Sequence, residues 1–129
     1  MIANLLPLVF LALQPATAAD GPAAPPASTE KEAVSLPADQ QGAIRCSAAF
    51  ALIAERQRLG EEAALEYPPL AERGREFFVQ ASARVMDESE LDRAAISAQL
   101  RSQAQSIVAE GTLDQIMPPC LMLLEASGI

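Results

Sequence analysis

The chain has 129 residues, a formal net charge of −8 and no histidine, and its length suits one small domain. The acidity excludes nucleic acid as an expected partner, because phosphate backbones repel such a chain, and it disfavours anionic membrane surfaces. Without histidine, the sequence lacks the commonest general base and the commonest metal ligand, which leaves few routes to catalysis.

Residues 1–19 have the features of a signal peptide. They carry no charged side chain, and Leu5–Leu13 (LLPLVFLAL) is an apolar run shorter than the roughly 20 residues of a membrane-spanning helix. The small residues Ala16 and Ala18 predict cleavage after Ala18 or Ala19. No lysine or arginine precedes the apolar run, which leaves an uncleaved anchor or a buried apolar N-terminus as the alternatives. We expect a periplasmic or secreted protein that has no membrane partner once the signal is cleaved.

Residues 20–37 (DGPAAPPASTEKEAVSLP) are rich in proline, alanine and small polar residues and lack an apolar period. A stretch of this composition buries too little surface to offset its chain entropy, so it predicts a disordered or extended linker. The remaining residues, 38–129, are expected to form one helical domain.

The first predicted helix of that domain covers Ala38–Leu59. Its apolar residues recur at i, i+3, i+4 and i+7, which places them on one helical face: Cys46, Ala49, Phe50 and Ile53. Either Gly60 ends this helix, or the helix-prone stretch 61–66 (EEAALE) continues it after a weak point.

A second and a third helix are predicted after the proline pair Pro68-Pro69. The second runs from Pro69 to about Met86, and Gly74 in its apolar stripe should let another helix approach closely. That stripe consists of Leu70, Gly74, Phe77, Phe78, Ala81 and Val85. The third opens at a capping box, Ser89–Asp92, and stops at Glu110-Gly111. Its inner face is predicted from Leu91, Ala95 and Ala98 on one side and Leu100, Ala104, Ile107 and Val108 on the other.

The last predicted helix restarts at Pro118-Pro119 and runs to about Ala126, after a short turn that the capping box Thr112–Gln115 opens. Its inward positions at helical spacing are Leu113, Ile116, Met117, Cys120 and Leu124. The fold class is therefore all-α, a small bundle of about four helices arranged as two hairpins.

The two cysteines, Cys46 and Cys120, both fall on apolar helical faces. Two buried free thiols are the alternative, but an exported chain with a single pair favours a disulfide. The bond would join the first and last helices and close a loop of about 75 residues, which the chain-entropy estimate values at about 4–5 kcal/mol.

Carboxylates are the remaining source of chemistry. The densest group, Asp87, Glu88, Glu90 and Asp92, lacks the pattern of a calcium loop and suits the positive end of a helix dipole. Glu72 and Glu76 stand one turn apart beside arginines, near Glu61, Glu62 and Glu66, which favours a solvated charged face over a glycosidase pair. We predict no catalytic, metal-binding or cofactor-binding residue.

Three segments, Arg45–Ala54, Tyr67–Arg75 and Met117–Leu121, resemble a group of short, uncharacterised exported proteins of sphingomonad-type alphaproteobacteria. The resemblance covers most of residues 43–128. It implies export from a Gram-negative cell and a helical domain with one cysteine pair, and it transfers no site residues.

The functional expectation is a non-catalytic binding or interaction module with an unidentified protein partner, its oligomeric state left open. The second hypothesis is a periplasmic chaperone active in acid, since 17 acidic side chains lose charge near pH 3–4 and the outline is similar to the small acid-stress chaperones. A carboxylate-based cell-wall hydrolase is the third.

Overall fold

The computed structural model describes residues 36–129, and within that range it contains helices and no strand. The helices are α1 (Ala38–Arg58), α2 (Glu62–Leu65), α3 (Ala71–Glu88), α4 (Arg93–Glu110) and α5 (Leu113–Ala126). The all-α prediction is confirmed, with four long helices and one of a single turn. The predicted signal peptide, residues 1–19, and residues 20–35 of the predicted linker lie outside the described residues.

Helix α1 is the centre of the bundle, and it packs against each of the other four helices. Its composition explains its length, because alanine, glutamine and arginine are good helix formers. Asp39 lies in its first turn and Arg56 and Arg58 in its last, which complements the helix dipole at both ends. All four residues of its predicted apolar stripe are buried.

The core forms where α1 meets α3. Phe50 and Phe77 pack edge to face, with ring centroids 5.3 Å apart. Gly74 lies against this pair, because a Cβ on it would stand 2.9 Å from the Phe50 Cβ. The close helix approach predicted for Gly74 is therefore confirmed.

The joint between α1 and α3 is organised by one side chain, that of Gln57. Its Nε2 lies within hydrogen-bonding distance of the carbonyl oxygens of Ala64, Tyr67 and Pro68, at 3.1, 3.2 and 2.9 Å, and its Oε1 accepts from the Leu70 N–H at 3.1 Å. Gly60, with φ of +76°, ends α1, and the stretch 61–66 contributes the separate short helix α2. The first of the two sequence alternatives is the correct one.

The capping box predicted at Ser89 is wrong in register. Asp92, not Ser89, caps α4, since its carboxylate accepts from the Ala95 N–H at 2.8 Å. Ser89 instead ends α3 and turns its hydroxyl back to the Val85 carbonyl. The negative charge of the aspartate also suits the positive end of the helix dipole.

The predicted restart of the last helix at the proline pair is also wrong, because α5 runs unbroken from Leu113 through Pro118 and Pro119. The prolines remove the N–H groups that would pair with the carbonyls of Asp114 and Gln115. All four of these residues are exposed, so water can solvate the two carbonyls. The Thr112 side chain makes no capping hydrogen bond, in contrast to the predicted box.

A second, smaller core cluster joins the start of α1 to α3 and α4. It contains Leu36, Ile44, Val85 and Ile96. Leu36 falls within the predicted linker but is buried. The inner face of α4 also differs from prediction, since Ile96 and Ile107 are its buried residues, whereas Ala98 and Val108 are exposed. The sequence of α4 offers two overlapping apolar stripes, and packing against α1 and α3 determines which of their residues are buried.

None of the helices within residues 36–129 has a stretch both long enough and apolar enough to cross a bilayer.

Candidate functional site

The disulfide predicted from the sequence is present between Cys46 of α1 and Cys120 of α5. The two Cα atoms are 5.2 Å apart, and both cysteines are buried in the main core cluster with Phe50 and Met117. The bond links helices 74 residues apart in the chain. It therefore holds α5 against α1 and fixes the geometry of the surface where these two helices meet.

A cleft opens between α1, α3 and α5, with a volume of about 310 Å³. Helix α1 contributes Asp39, Gln40, Gly42 and Ala43, helix α3 contributes Phe77, Gln80, Ala81, Arg84 and Val85, and the end of α5 contributes Leu123, Ala126 and Ser127. Apolar side chains form much of this lining, and polar groups stand among them. Such a combination and size are typical of a site for a small ligand or an inserted side chain.

Gln40 is the most deeply buried polar residue of the cleft. It is only 4% exposed, and its Nε2 donates to Glu88 Oε2 at 2.9 Å. Its Oε1 is buried and has no hydrogen-bond partner among the described residues. A buried acceptor without a donor costs about 1–3 kcal/mol, so this amide oxygen is an unfavourable feature of the fold beside the cleft.

Gly42 lies inside α1 at the cleft, where glycine is unfavourable by about 1 kcal/mol relative to alanine. A Cβ built on it meets nothing within 4 Å, and its φ is not positive. Packing within the chain therefore does not require a glycine here, in contrast to Gly74.

Apolar surface continues from the cleft along the outer side of α5. Met122 is 74% exposed and Leu123 is 40% exposed, and Pro119 and Ala126 are exposed on the same side. These four residues follow the i, i+3, i+4, i+7 spacing of one helical face. A helix whose inner face is also apolar is normally covered on both sides, so this outer face is a candidate contact surface.

The carboxylates weighed in the sequence are distributed over the surface. Glu72 and Glu76 are both exposed on α3, and Glu61 is exposed 3.8 Å from the Arg56 guanidinium. Of the acidic group near residue 90, Glu88 binds Gln40 and Asp92 caps α4. Within residues 36–129, no three such side chains are grouped so that they could hold a metal ion.

Among residues 36–129, the pKa is shifted at two sites, and both lie away from the cleft. Burial of the Tyr67 ring raises the pKa of its phenol, and so do its hydrogen bond to Asp114 and the charges of Asp114 and Glu66. A hydrogen bond from Arg58 lowers the pKa of Glu55, and the same pair raises the pKa of Arg58. These shifts reflect local surface pairs and do not mark an acid–base centre in the cleft.

Sequence reasoning missed the cleft. Its signals were present in Gly42 within a helix-forming stretch and in the apolar residues on every side of α5. Neither signal identifies a cleft until α1, α3 and α5 are placed beside one another.

Fold and site together define a small disulfide-linked helical domain with an amphipathic cleft and an apolar face beside it. Comparison with protein-family models, with curated proteins and with solved structures finds no match for this chain.

Proposed function

We propose that the chain is an exported, non-catalytic interaction module that binds a partner protein through the α1–α3–α5 cleft. The observation that carries the proposal is that Leu123, which lines the cleft, and its neighbour Met122 are both exposed on α5. Exposed apolar surface beside a concave site is a feature of protein contact surfaces.

Export is part of the proposal. The disulfide between Cys46 and Cys120 supports it, because such bonds persist in oxidising compartments. The predicted signal peptide agrees with it. Intact mass of the chain recovered from the periplasm or medium tests this part: we expect a start at Ala19 or Asp20 and no free thiol. A chain that retains Met1 would contradict cleavage.

Site-directed photo-cross-linking in the cells that make the protein tests the binding role. A photoreactive phenylalanine analogue replaces Leu123 at the cleft, and in a matched control it replaces Leu65, which is 57% exposed in α2. We expect a discrete adduct of defined mass from position 123 and none from position 65. No adduct, or the same mixture from both positions, would overturn the proposal.

A further inference from the structure

The absence of a side chain at Gly42 leaves space in the cleft. Packing within the chain does not require a glycine at position 42, because nothing lies within 4 Å of the position that a Cβ would occupy. Glycine is nevertheless a poor residue for a helix interior. Any side chain larger than hydrogen would project from α1 beside the cleft. The space above Gly42 therefore suits a bulky group supplied from outside.

The charges around the cleft favour a positively charged occupant. Asp39 and Arg84 are the two charged residues among the described lining residues, and Glu88 lies beside the cleft, where it accepts a hydrogen bond from Gln40. The whole chain carries a net charge of −8. A basic partner would be attracted at long range and paired at short range.

The walls of the cleft also limit the backbone conformation of the occupant. They are helices whose backbone groups are paired internally, so they offer no strand edge for an extended peptide. A segment desolvated against them must satisfy its own backbone hydrogen bonds, which a helix does. The i, i+3, i+4, i+7 stripe on α5 gives such a helix a matching apolar ridge.

We propose that the cleft binds a basic amphipathic helix of a partner protein, with a bulky apolar side chain over Gly42 and lysine or arginine beside Asp39 and Glu88. This inference rests on the proposed function and specifies its partner class. A second copy of this chain fits less well, because two acidic chains repel and α5 offers no cation. An anionic membrane is disfavoured by the same charge.

Three labelled peptides of about 18 residues test the proposal by fluorescence anisotropy with the full exported chain. The first has a leucine stripe with lysine margins, the second has the same stripe with glutamate margins, and the third has the composition of the first in scrambled order. We expect the first to bind at least about tenfold more tightly than the other two, and more weakly as salt is raised.

Variants of the chain localise the binding. Gly42→Leu should weaken the lysine-margined peptide by about tenfold while the chain becomes more resistant to unfolding, so misfolding cannot explain the loss. Leu65→Glu, on a distant surface, should leave affinity unchanged. Affinity that survives Gly42→Leu would overturn the placement in the cleft.

The remaining outcomes also decide the matter. Equal binding of the lysine-margined and glutamate-margined peptides, or no binding of either, overturns the inference of a basic helix. The proposed function is tested separately, by the cross-link from position 123. A dimer in sedimentation that Gly42→Leu dissolves would identify a second copy as the occupant. Cleft-dependent binding to phosphatidylglycerol vesicles would identify a membrane, and either result replaces the inference.

Discussion

Gly74 and Gly42 show how the same residue type has opposite roles two helices apart. Gly74 is required by packing, since its Cα approaches Phe50 so closely that a Cβ would stand 2.9 Å from the phenylalanine Cβ. Gly42 has open space around it, at the cleft. Composition does not reveal this difference in role, because it depends on whether another helix packs against the glycine.

Alanine substitution should therefore change stability in opposite directions at the two sites. Gly74→Ala should lower the free energy of unfolding by about 1–3 kcal/mol, because the Phe50 Cβ is tied to the backbone and the helices must separate. Gly42→Ala should raise it by roughly 0.5–1 kcal/mol through helix propensity. Urea unfolding followed by circular dichroism measures both. The same sign for the two variants would contradict this account.

Tyr67 permits a direct titration, because it is the single tyrosine and the chain has no tryptophan. Its hydroxyl donates to Asp114 Oδ1 at 3.0 Å, and its pKa is raised first by burial and then by that aspartate. The folded state thus favours the protonated phenol. The resulting stability is present below the ordinary tyrosine pKa of about 10 and is lost as pH rises through the higher folded value.

The ultraviolet absorbance of tyrosinate should therefore show a midpoint above that of the chain unfolded in urea. Asp114→Asn removes the charge that opposes ionisation, so the midpoint of this variant should fall toward the unfolded value. A folded midpoint equal to or below the unfolded one would show that the Tyr67–Asp114 contact does not persist in solution.

At the scale of elements, the most important joint is the turn from α1 through α2 into α3. The two prolines in this turn provide no N–H of their own, and one glutamine, Gln57, serves three carbonyls and the Leu70 N–H in their place. The start of α3, and with it Phe77 and Arg84 of the cleft, depends on this side chain.

Replacing Gln57 should loosen that joint. Gln57→Leu leaves the carbonyls without their donor and should cost about 1–3 kcal/mol of unfolding free energy. Gln57→Glu should be worse at neutral pH than near pH 4, since only the protonated acid can donate to a carbonyl. Chemical denaturation at the two pH values checks this. A Gln57→Glu variant with no pH dependence beyond that of the unsubstituted chain would contradict it.

The turn between α3 and α4 shows the competition between neighbouring caps. Ser89 and Asp92 both have side chains able to cap, and the choice of Asp92 delays α4 to Arg93. Ile96, near the start of α4, is buried in the second core cluster with Leu36 and Val85. The local cap thus sets where α4 begins, while packing against α1 and α3 decides which of its residues are buried.

At the scale of the whole molecule, the disulfide governs how α5 lies on α1. Small domains have little margin of stability, commonly 5–15 kcal/mol, so a cross-link over 74 residues is a large part of it. It also holds the α5 wall of the cleft against α1, which couples the redox state of the chain to the proposed binding site.

Loss of the cross-link should lower the free energy of unfolding by about 4–5 kcal/mol on the chain-entropy estimate. The double variant Cys46→Ala, Cys120→Ala and the reduced unsubstituted chain should behave alike in urea, and reductant should not affect the variant. An unfolding midpoint that is the same with and without the bond would show that packing alone positions α5.

The sequence by itself determined the features that arise within one helix. The 3.6-residue period of apolar side chains identified the buried faces of α1 and α3 and the inward direction of both cysteines, and Gly111 marked the end of α4. These features follow from local geometry, because residues three and four apart share a helical face whatever surrounds them.

Only the tertiary structure decided the features that depend on neighbours distant in the chain. Helix α5 continues through Pro118 and Pro119 because its buried side meets α1 while the carbonyls that lose their donors face water. Leu36 belongs to the core because α3 and α4 cover it. The cleft exists because α1, α3 and the end of α5 meet at one place, and a concave surface between separate segments is a property of their arrangement, not of any one of them.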